Sequence, residues 1–246
     1  MEVRNLVFTI RFVGTHYSGF QVQANAPSIS AAFQDALEKT IGERGEIKGC
    51  SRTDSGVHAN GFCLSVKTRA AIPTDRLVLA LNSHLPIDIA ATDCRQLPDD
   101  FHARYSATGK EYVYKLLNSR LRDPFLEGFS HRIPTRLDET LMHLQAQDFL
   151  GRHDFSAFMA SGGNKQDTIR TVSYFSVERQ GEIITFTVRG DGFLYKMVRI
   201  MVGTLVEIGR GKLAAGCIPE IIKSGERGRA GLTAPAKGLY LNRVFY

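Results

Sequence analysis

Cysteine is scarce in this sequence of 246 residues, tryptophan is absent, and no long apolar run occurs. The 4 cysteines, at positions 50, 63, 94 and 217, are widely spaced without a Cys-x-x-Cys pair. They therefore suggest neither a zinc site nor a disulfide framework. No apolar stretch approaches the roughly 20 residues that a membrane-spanning helix needs. The start, MEVRNLVFTIRFVG, alternates like a strand and lacks the apolar block of a signal peptide, so we expect a cytoplasmic protein.

The sequence also lacks the motifs that hold nucleotide cofactors and metals. It contains no phosphate-binding G-x-x-x-x-G-K-[ST] loop, no G-x-G-x-x-G turn and no cluster of metal-ligating residues. With 43% apolar and 23% charged residues, the composition is that of a globular protein with one large domain or two small ones.

Positive charge is in excess, with 31 Lys and Arg against 25 Asp and Glu. A net charge of +6 favours a polyanionic partner without proving one. The segment HARYSATGKEYVYKLLNSRLR combines five basic residues and three tyrosines with a single acid: Arg104, Lys110, Lys115, Arg120 and Arg122, with Tyr105, Tyr112 and Tyr114. Positive charge among aromatic rings is what capture of an RNA backbone and stacking of bases require. A second basic group forms either a solvated face or remote phosphate contacts: Lys212, Lys223, Arg227 and Arg229.

Apolar periodicity predicts alternating strands and helices, and hence an α+β fold. In the first half, an amphipathic helix begins after Ser28 and ends before Gly42. The other predicted elements there are strands at 6–13, near 47, at 62–67, 87–97 and 111–118, and a helix at 74–81. The strand at 62–67 alternates apolar and polar residues, so we expect it to be half-buried.

The second half repeats this order, with helices at 137–150 and 197–208 and strands at 171–179, 182–189 and 238–246. The loop at 119–136 contains two prolines, a glycine and four arginines. We therefore divide the chain into halves at 1–118 and 119–246. The words FTIR at 8–11 and FTVR at 186–189 echo each other, which is weak evidence for a duplication.

One loop carries more charge than a turn requires. The stretch GCSRTDSGVHANGF, residues 49–62, places Arg52, Asp54 and His58 between two predicted strands. Glycine and serine suit a turn, but a turn does not need these three side chains together. Taken alone, the aspartate has an ordinary structural interpretation, in which its carboxylate caps a backbone N–H. A histidine in a polar loop is more often a hydrogen-bonding brace than a catalyst, and we interpret His58 as a brace.

An arginine in an apolar segment supplies a partner for that carboxylate. Arg199 lies within DGFLYKMVRIMVG, where burying a guanidinium is costly unless a carboxylate pairs with it. We therefore predict that Asp54 and Arg199 pair. An opposite charge at contact distance favours the ionised form of a carboxylate.

Four stretches in order resemble the motifs of TruA-type tRNA pseudouridine synthases: GCSRTDSGVHANGF, DDFHARYSATGKEYVY, GFLYKMVRIMVGTLVEIGRGK and GLYLNRVFY. The resemblance runs from GTHYSGFQVQ near the start to the last residue, and R-T-D-x-G-V-H-A is far longer than a generic turn pattern. The sequence differs from the family's usual residues at Phe20, Ser51 and Ser55, where the family usually has tryptophan, glycine and alanine.

The resemblance implies a fold of two similar ferredoxin-like or RRM-like α/β halves. Their antiparallel sheets would form a central sheet with helices packed outside and an active-site cleft between the halves. It further implies a homodimer that acts on uridines 38 to 40 of the tRNA anticodon stem-loop. The target uridine would be isomerised to pseudouridine without a cofactor or metal.

The resemblance also implies roles for four residues. Asp54 would be the nucleophile, and Arg199 would keep it charged. Tyr112 would stack on the target base and assist removal of the C5 proton, whereas Tyr114 on the same strand face is predicted to be core. Arg52 would hold phosphate or fill the gap that an everted nucleotide leaves.

Two alternatives stay open. A paralogue could modify another tRNA position or a different structured RNA, which the serine differences motivate. A non-catalytic tRNA-binding module could have kept the fold and lost turnover.

Overall fold

The computed structural model describes residues 2–163 and 166–246. Within these residues the strands are β1 (Arg4–Phe12), β2 (Ile47–Gly49), β3 (His58–Thr68), β4 (Ile89–Leu97), β5 (Gly109–Leu117), β6 (His131–Arg132), β7 (Gly151–Asp154), β8 (Ile169–Gln180), β9 (Ile183–Gly190) and β10 (Leu239–Phe245). The α-helices are α1 (Ile29–Ile41), α2 (Thr74–Asn82), α3 (Glu139–Ala146), α4 (Met197–Gly209) and α5 (Ile218–Ser224). The predicted α+β class is confirmed. No helix in the described residues is both long and apolar enough to cross a membrane.

The contacts divide the chain into two compact units. Unit 1 consists of Met1–Thr108 and Tyr240–Tyr246, and unit 2 of Gly109–Leu239. Strand β5 therefore belongs to unit 2, whereas the division predicted from the sequence, between residues 118 and 119, would place it in the first half. The last seven residues belong to unit 1. These last residues belong to unit 1 because β10 pairs in parallel with the start of β3, Tyr240 with His58 and Leu241 with Ala59.

Unit 1 has the strand order β4-β1-β3-β2, with all three neighbouring pairs antiparallel. Along the chain its elements follow as β1, α1, β2, β3, α2 and β4. This is the ferredoxin-like arrangement, in which each helix connects strands that are not neighbours in the sheet. The predicted ferredoxin-like half is thus present in unit 1.

Unit 2 repeats this logic. Its sheet has the order β5-β9-β8-β7, with the two-residue β6 paired to the end of β5. Apart from the short strands β6 and β7, its elements β5, α3, β8, β9 and α4 follow each other as β1, α1, β2, β3 and α2 do in unit 1. Strand order β5-β9-β8 therefore corresponds to β1-β3-β2. The similarity lies in topology and not in the two echoing words, because FTIR is in β1 whereas FTVR is in β9, the counterpart of β3.

Helix α1 begins and ends where the sequence predicts. The Ser28 hydroxyl accepts a hydrogen bond from Ala31 N at 3.2 Å, and Gly42 takes the left-handed conformation that ends the helix. The helix packs on the sheet through Phe33, whose ring lies 5.3 Å from that of Phe8 in β1.

The strand at 62–67 is not half-buried, and that expectation was wrong. Cys63 and Ser65 are only 6% and 3% exposed, so both faces of this part of β3 are covered. Tyr246 shares a hydrogen bond with Cys63, which places the end of the chain over one face. Burial raises the pKa of the Cys63 thiol to about 11, so it stays protonated at neutral pH. Cys50 and Cys94 are also buried, as expected of free thiols.

Candidate functional site

The loop that contains Asp54 connects β2 to β3 in unit 1 and is held by the segment after β1. Tyr17 O accepts from Gly56 N at 3.2 Å and from the Ser55 hydroxyl at 3.2 Å. Val57 N donates to Asp54 O at 3.2 Å and closes a tight turn around the aspartate. The backbone from Asp54 to Val57 is therefore held by this turn and by the segment after β1.

Close approach of these two segments depends on Gly19. Its φ of 96° is left-handed, and a Cβ there would overlap the Thr53 carbonyl oxygen. The Phe20 N–H donates to that same oxygen at 3.4 Å, and the Phe20 ring stacks on Phe62 at 4.3 Å. Phe20, where the family usually has tryptophan, thus packs an aromatic ring under the loop.

His58 is a brace, as predicted. Its Nδ1 accepts a hydrogen bond from Gly14 N at 3.1 Å, which leaves that nitrogen unprotonated. The side chain is 1% exposed, and its ring stacks on Tyr240 at 4.8 Å. Arg52 and Asp54 differ from it because Arg52 is exposed and Asp54 is only partly buried. The loop therefore presents the arginine and the aspartate while its histidine faces inward.

Tyr112 and Tyr114 lie on the same face of β5 in unit 2, but their surroundings differ. Tyr114 is fully buried, and its hydroxyl donates to Pro235 O at 2.9 Å. Burial raises its pKa well above the ordinary value, an effect that the positive charge of Arg199 partly opposes. Tyr112 is 7% exposed and meets Phe193 edge to face at 5.2 Å. The prediction that Tyr114 belongs to the core is confirmed.

Arg199 lies in the first turn of α4 and is held at its base by the segment before β10. Its Nε donates to Ala234 O at 2.7 Å, while Ala234 N donates to Arg199 O at 3.0 Å. This reciprocal pair fixes the direction in which the guanidinium leaves the helix. The side chain is only half-buried, although its helix neighbours Val198 and Ile200 are buried.

Two glycines allow that segment to approach α4. A Cβ on Gly203 would overlap the Leu232 carbonyl oxygen, and one on Gly231 would lie 2.6 Å from Thr204 Cα. Gly231 N donates to the Thr204 hydroxyl at 2.9 Å. The position of the Arg199 side chain thus depends on Gly203, about one helical turn further along α4, and on Gly231 in the facing segment.

The basic and aromatic stretch is divided between the units. In unit 1, Tyr105 is 78% exposed and the Arg104 guanidinium lies 5.7 Å from its ring centre. An exposed ring with a cation above it is suited to stacking on a base. In unit 2, Arg120 and Arg122 are exposed.

Arg122 also lines a pocket in unit 2 whose other charged or titratable residues are Asp123, Glu127, His131, Arg132 and Lys237. Lys237 donates to Glu127 at 2.6 Å. Burial, with Lys237 and Arg210 nearby, lowers the pKa of His131, so the histidine is neutral at pH 7. The pocket therefore carries three cations against the carboxylates of Asp123 and Glu127, and its excess of positive charge is small.

The four predicted site residues are thus divided, with Arg52 and Asp54 in unit 1 and Tyr112 and Arg199 in unit 2. The pairing of Asp54 with Arg199 stays a prediction. Sequence reasoning missed the structural roles of Gly19 and Gly203, since nothing in a single sequence shows which distant carbonyl a glycine meets. Among the described residues, no group of three or more His, Cys, Asp or Glu is placed to hold a metal ion.

Comparison with known proteins gives one consistent result. The model of the tRNA pseudouridine synthase family matches residues 9–106 and 145–246. A protein of Acetivibrio thermocellus named tRNA pseudouridine synthase A is 45% identical over 244 residues, covering 99% of this chain and 100% of the relative. A Clostridium perfringens protein named tRNA pseudouridine synthase A 2 is 43% identical over 245 residues with the same coverage. The tRNA pseudouridine synthase A of Moorella thermoacetica is 45% identical over 243 residues, with 98% and 99% coverage.

Proposed function

This chain belongs to the tRNA pseudouridine synthase family, and we propose that it isomerises uridine to pseudouridine at positions 38 to 40 of the tRNA anticodon stem-loop. The observation that carries the proposal is similarity over essentially the whole chain to relatives named for this activity. The fixed loop around Asp54 supports it, because a nucleophile must be held in place before its substrate arrives.

The proposed reaction begins with attack by the Asp54 carboxylate on the target nucleotide, either at C6 of the base or at C1′ of the ribose. The N1–C1′ bond breaks, the base turns, and C5 bonds to C1′ while the aspartate is released. The C5 proton is then lost and N1 gains a proton, so the product is an isomer of the substrate. The covalent bond to Asp54 retains the fragment that it joins, the base or the ribose, and shields that fragment from water until C5 bonds to C1′.

Arg199 acts in this proposal by keeping Asp54 ionised, because a protonated carboxyl group cannot attack. Its Nε donates a hydrogen bond to Ala234 O, and this bond restricts rotation of the guanidinium. Arg52 is exposed on the loop and would contact the RNA around the everted nucleotide. Eversion costs about a few kcal/mol, which such contacts would offset.

Substituting the two β5 tyrosines separates their roles. We expect Tyr112→Phe to lower the rate of pseudouridine formation by about 10²-fold or more, because the ring stays while the hydroxyl that assists proton removal is lost. Tyr114→Phe removes the hydrogen bond to Pro235 O and should cost about 1 kcal/mol of stability, with turnover kept below the melting temperature. Single-turnover rates and thermal melts of both variants provide the test. A larger rate loss in Tyr114→Phe would reverse the assignment.

The proposed function is tested by incubating the protein with unmodified tRNA transcripts and mapping pseudouridine chemically, position by position. We expect product at one or more of positions 38, 39 and 40. Product only elsewhere would indicate a paralogue with another target. Binding of tRNA without any product would indicate a non-catalytic module.

The proposal includes a homodimer in the cytoplasm. Sedimentation of the protein alone and with tRNA measures the oligomeric state, and a monomer in both conditions would contradict that part.

A further inference from the structure

A second pocket in unit 2, of about 810 Å³, lies beside the first turn of α4. We call it the Lys196 pocket and define it by six lining residues: Asp154, Ser156, Lys196, Gly225, Arg227 and Thr233. The lining mixes apolar and polar surface, and its charged groups are two cations and one carboxylate. None of these residues has a part in the proposed reaction.

The Arg227 guanidinium is held by neutral groups. Its Nη1 donates to Ala230 O at 3.3 Å and its Nη2 to the Thr233 hydroxyl at 3.2 Å. Burial lowers its pKa from the ordinary value, yet an arginine stays charged in proteins. Its ordered setting sets it apart from Lys212, Lys223 and Arg229, which are exposed on the surface. A positioned guanidinium held by uncharged acceptors keeps its charge available for an anion.

Lys196 has an unusual backbone. Its φ of 58° and ψ of 13° are left-handed, and within residues 2–163 and 166–246 it is the only residue other than glycine with positive φ. A bulky residue in this region is strained, and such strain is concentrated at functional sites. The ammonium group lies 4.8 Å from the centre of the Tyr195 ring, which orients it without neutralising it.

The single carboxylate of the pocket is already engaged. Asp154 accepts from Ser156 N at 2.9 Å, and a hydrogen bond from the Thr168 side chain holds its pKa below the usual range. Its charge is thus stabilised locally by these donors. The pocket keeps a net positive charge from Lys196 and Arg227.

We propose that the Lys196 pocket binds one phosphate of the RNA backbone, with Lys196 and Arg227 as its charged contacts and the Thr233 hydroxyl as a donor. The inference rests on the proposed function for the identity of the RNA. It also assigns the phosphate a role. Lys196 immediately precedes α4 and lies three residues before Arg199, and Thr233 precedes the Ala234 that holds Arg199. A phosphate fixed there positions the strand about one helical turn from the guanidinium of Arg199.

The first test uses Lys196→Asn, because asparagine tolerates a left-handed backbone and the fold should be kept. We measure affinity for an unmodified tRNA transcript over a range of salt concentrations. For the wild type, affinity falls steeply with salt; for the variant, we expect weaker binding and a log–log slope that is shallower by about 1. Lys196→Arg should restore both. Lys39→Gln is the matched control, since it removes one exposed charge from α1.

The second test identifies the phosphate. Anticodon stem-loop RNAs that carry one neutral methylphosphonate linkage at a time are bound to the wild type, to Lys196→Asn and to Arg227→Gln. We expect one linkage whose neutralisation lowers the RNA affinity of the wild type but leaves the affinities of the two variants nearly unchanged, because each variant has already lost a contact to that phosphate. If every linkage costs the variants as much as the wild type, or if the salt slope of Lys196→Asn is unchanged, the inference is wrong.

Both readouts measure binding and not turnover. A wild type that forms no pseudouridine would overturn the proposed function, yet a shallower slope with the same linkage pattern would still support a phosphate site.

Discussion

Asp54→Asn is expected to abolish pseudouridine formation while tRNA binding stays close to that of the wild type. The substitution removes the nucleophile and keeps the side chain's size, and loss of a covalent nucleophile typically lowers turnover by about 10⁴-fold or more. Binding should persist because affinity depends mainly on phosphate contacts spread over the RNA surface. Chemical mapping of pseudouridine and filter binding of the same transcript provide the two measurements.

A matched control for this variant lies in the same loop. Ser55→Ala removes a hydroxyl that donates to Tyr17 O but leaves the carboxylate, and alanine is what the family usually has there. We expect its turnover to stay within about an order of magnitude of the wild type, since one neutral hydrogen bond contributes about 1 kcal/mol. Normal product formation by Asp54→Asn would refute the assignment of the nucleophile.

Gly203→Ala is expected to cause the largest loss of stability. The new Cβ would overlap the Leu232 carbonyl oxygen, so α4 and the segment before β10 must move apart. Overpacking of this kind costs about 3 kcal/mol, which corresponds to a fall of about 6–12 °C in melting temperature for a chain of this size. Turnover should also fall in the folded protein, because the same movement shifts the Ala234 carbonyl that holds Arg199 Nε.

Gly228→Ala is the control for that effect. A Cβ on Gly228 meets no atom within 4 Å, so its melting temperature should match that of the wild type. An unchanged melting temperature for Gly203→Ala would show that the close approach is not required. A lower melting temperature for Gly203→Ala, together with full turnover at a temperature where the variant is folded, would show that the segment before β10 does not position Arg199.

Local chemistry predicts much of this fold from the sequence. Ser28 and Gly42 bound α1 because a hydroxyl at the start and a left-handed glycine at the end satisfy backbone groups of the helix itself. The apolar residues of α4 likewise predict a helix from the local sequence alone. It was expected at 197–208 and is observed at Met197–Gly209. Helix α5 was missed because its seven residues are too few for a periodic pattern to be distinctive.

Features that depend on distant parts of the chain could not be predicted in this way. The alternation of residues 62–67 placed Cys63 on the solvent-facing side of its strand. In the fold, Tyr246, which is 183 residues later in the chain, covers that side. The Tyr114 hydroxyl finds its acceptor at Pro235, and Lys196 adopts a left-handed backbone although lysine has no preference for it. For the candidate site, the sequence supplies residue types and a family pattern, whereas the fold shows that Tyr114 is core and His58 a brace.

Release of the C5 hydrogen reports whether Asp54 drives the proposed isomerisation, because joining the base to the ribose through C5 must displace that hydrogen. Transcripts of tRNA labelled with tritium at C5 of uridine are mixed with excess protein, and the released tritium is counted over time. We expect stoichiometric release at the modified uridines with the wild type and none with Asp54→Asn. Equal release by the two proteins, or none by the wild type with tRNA bound, would contradict this expectation.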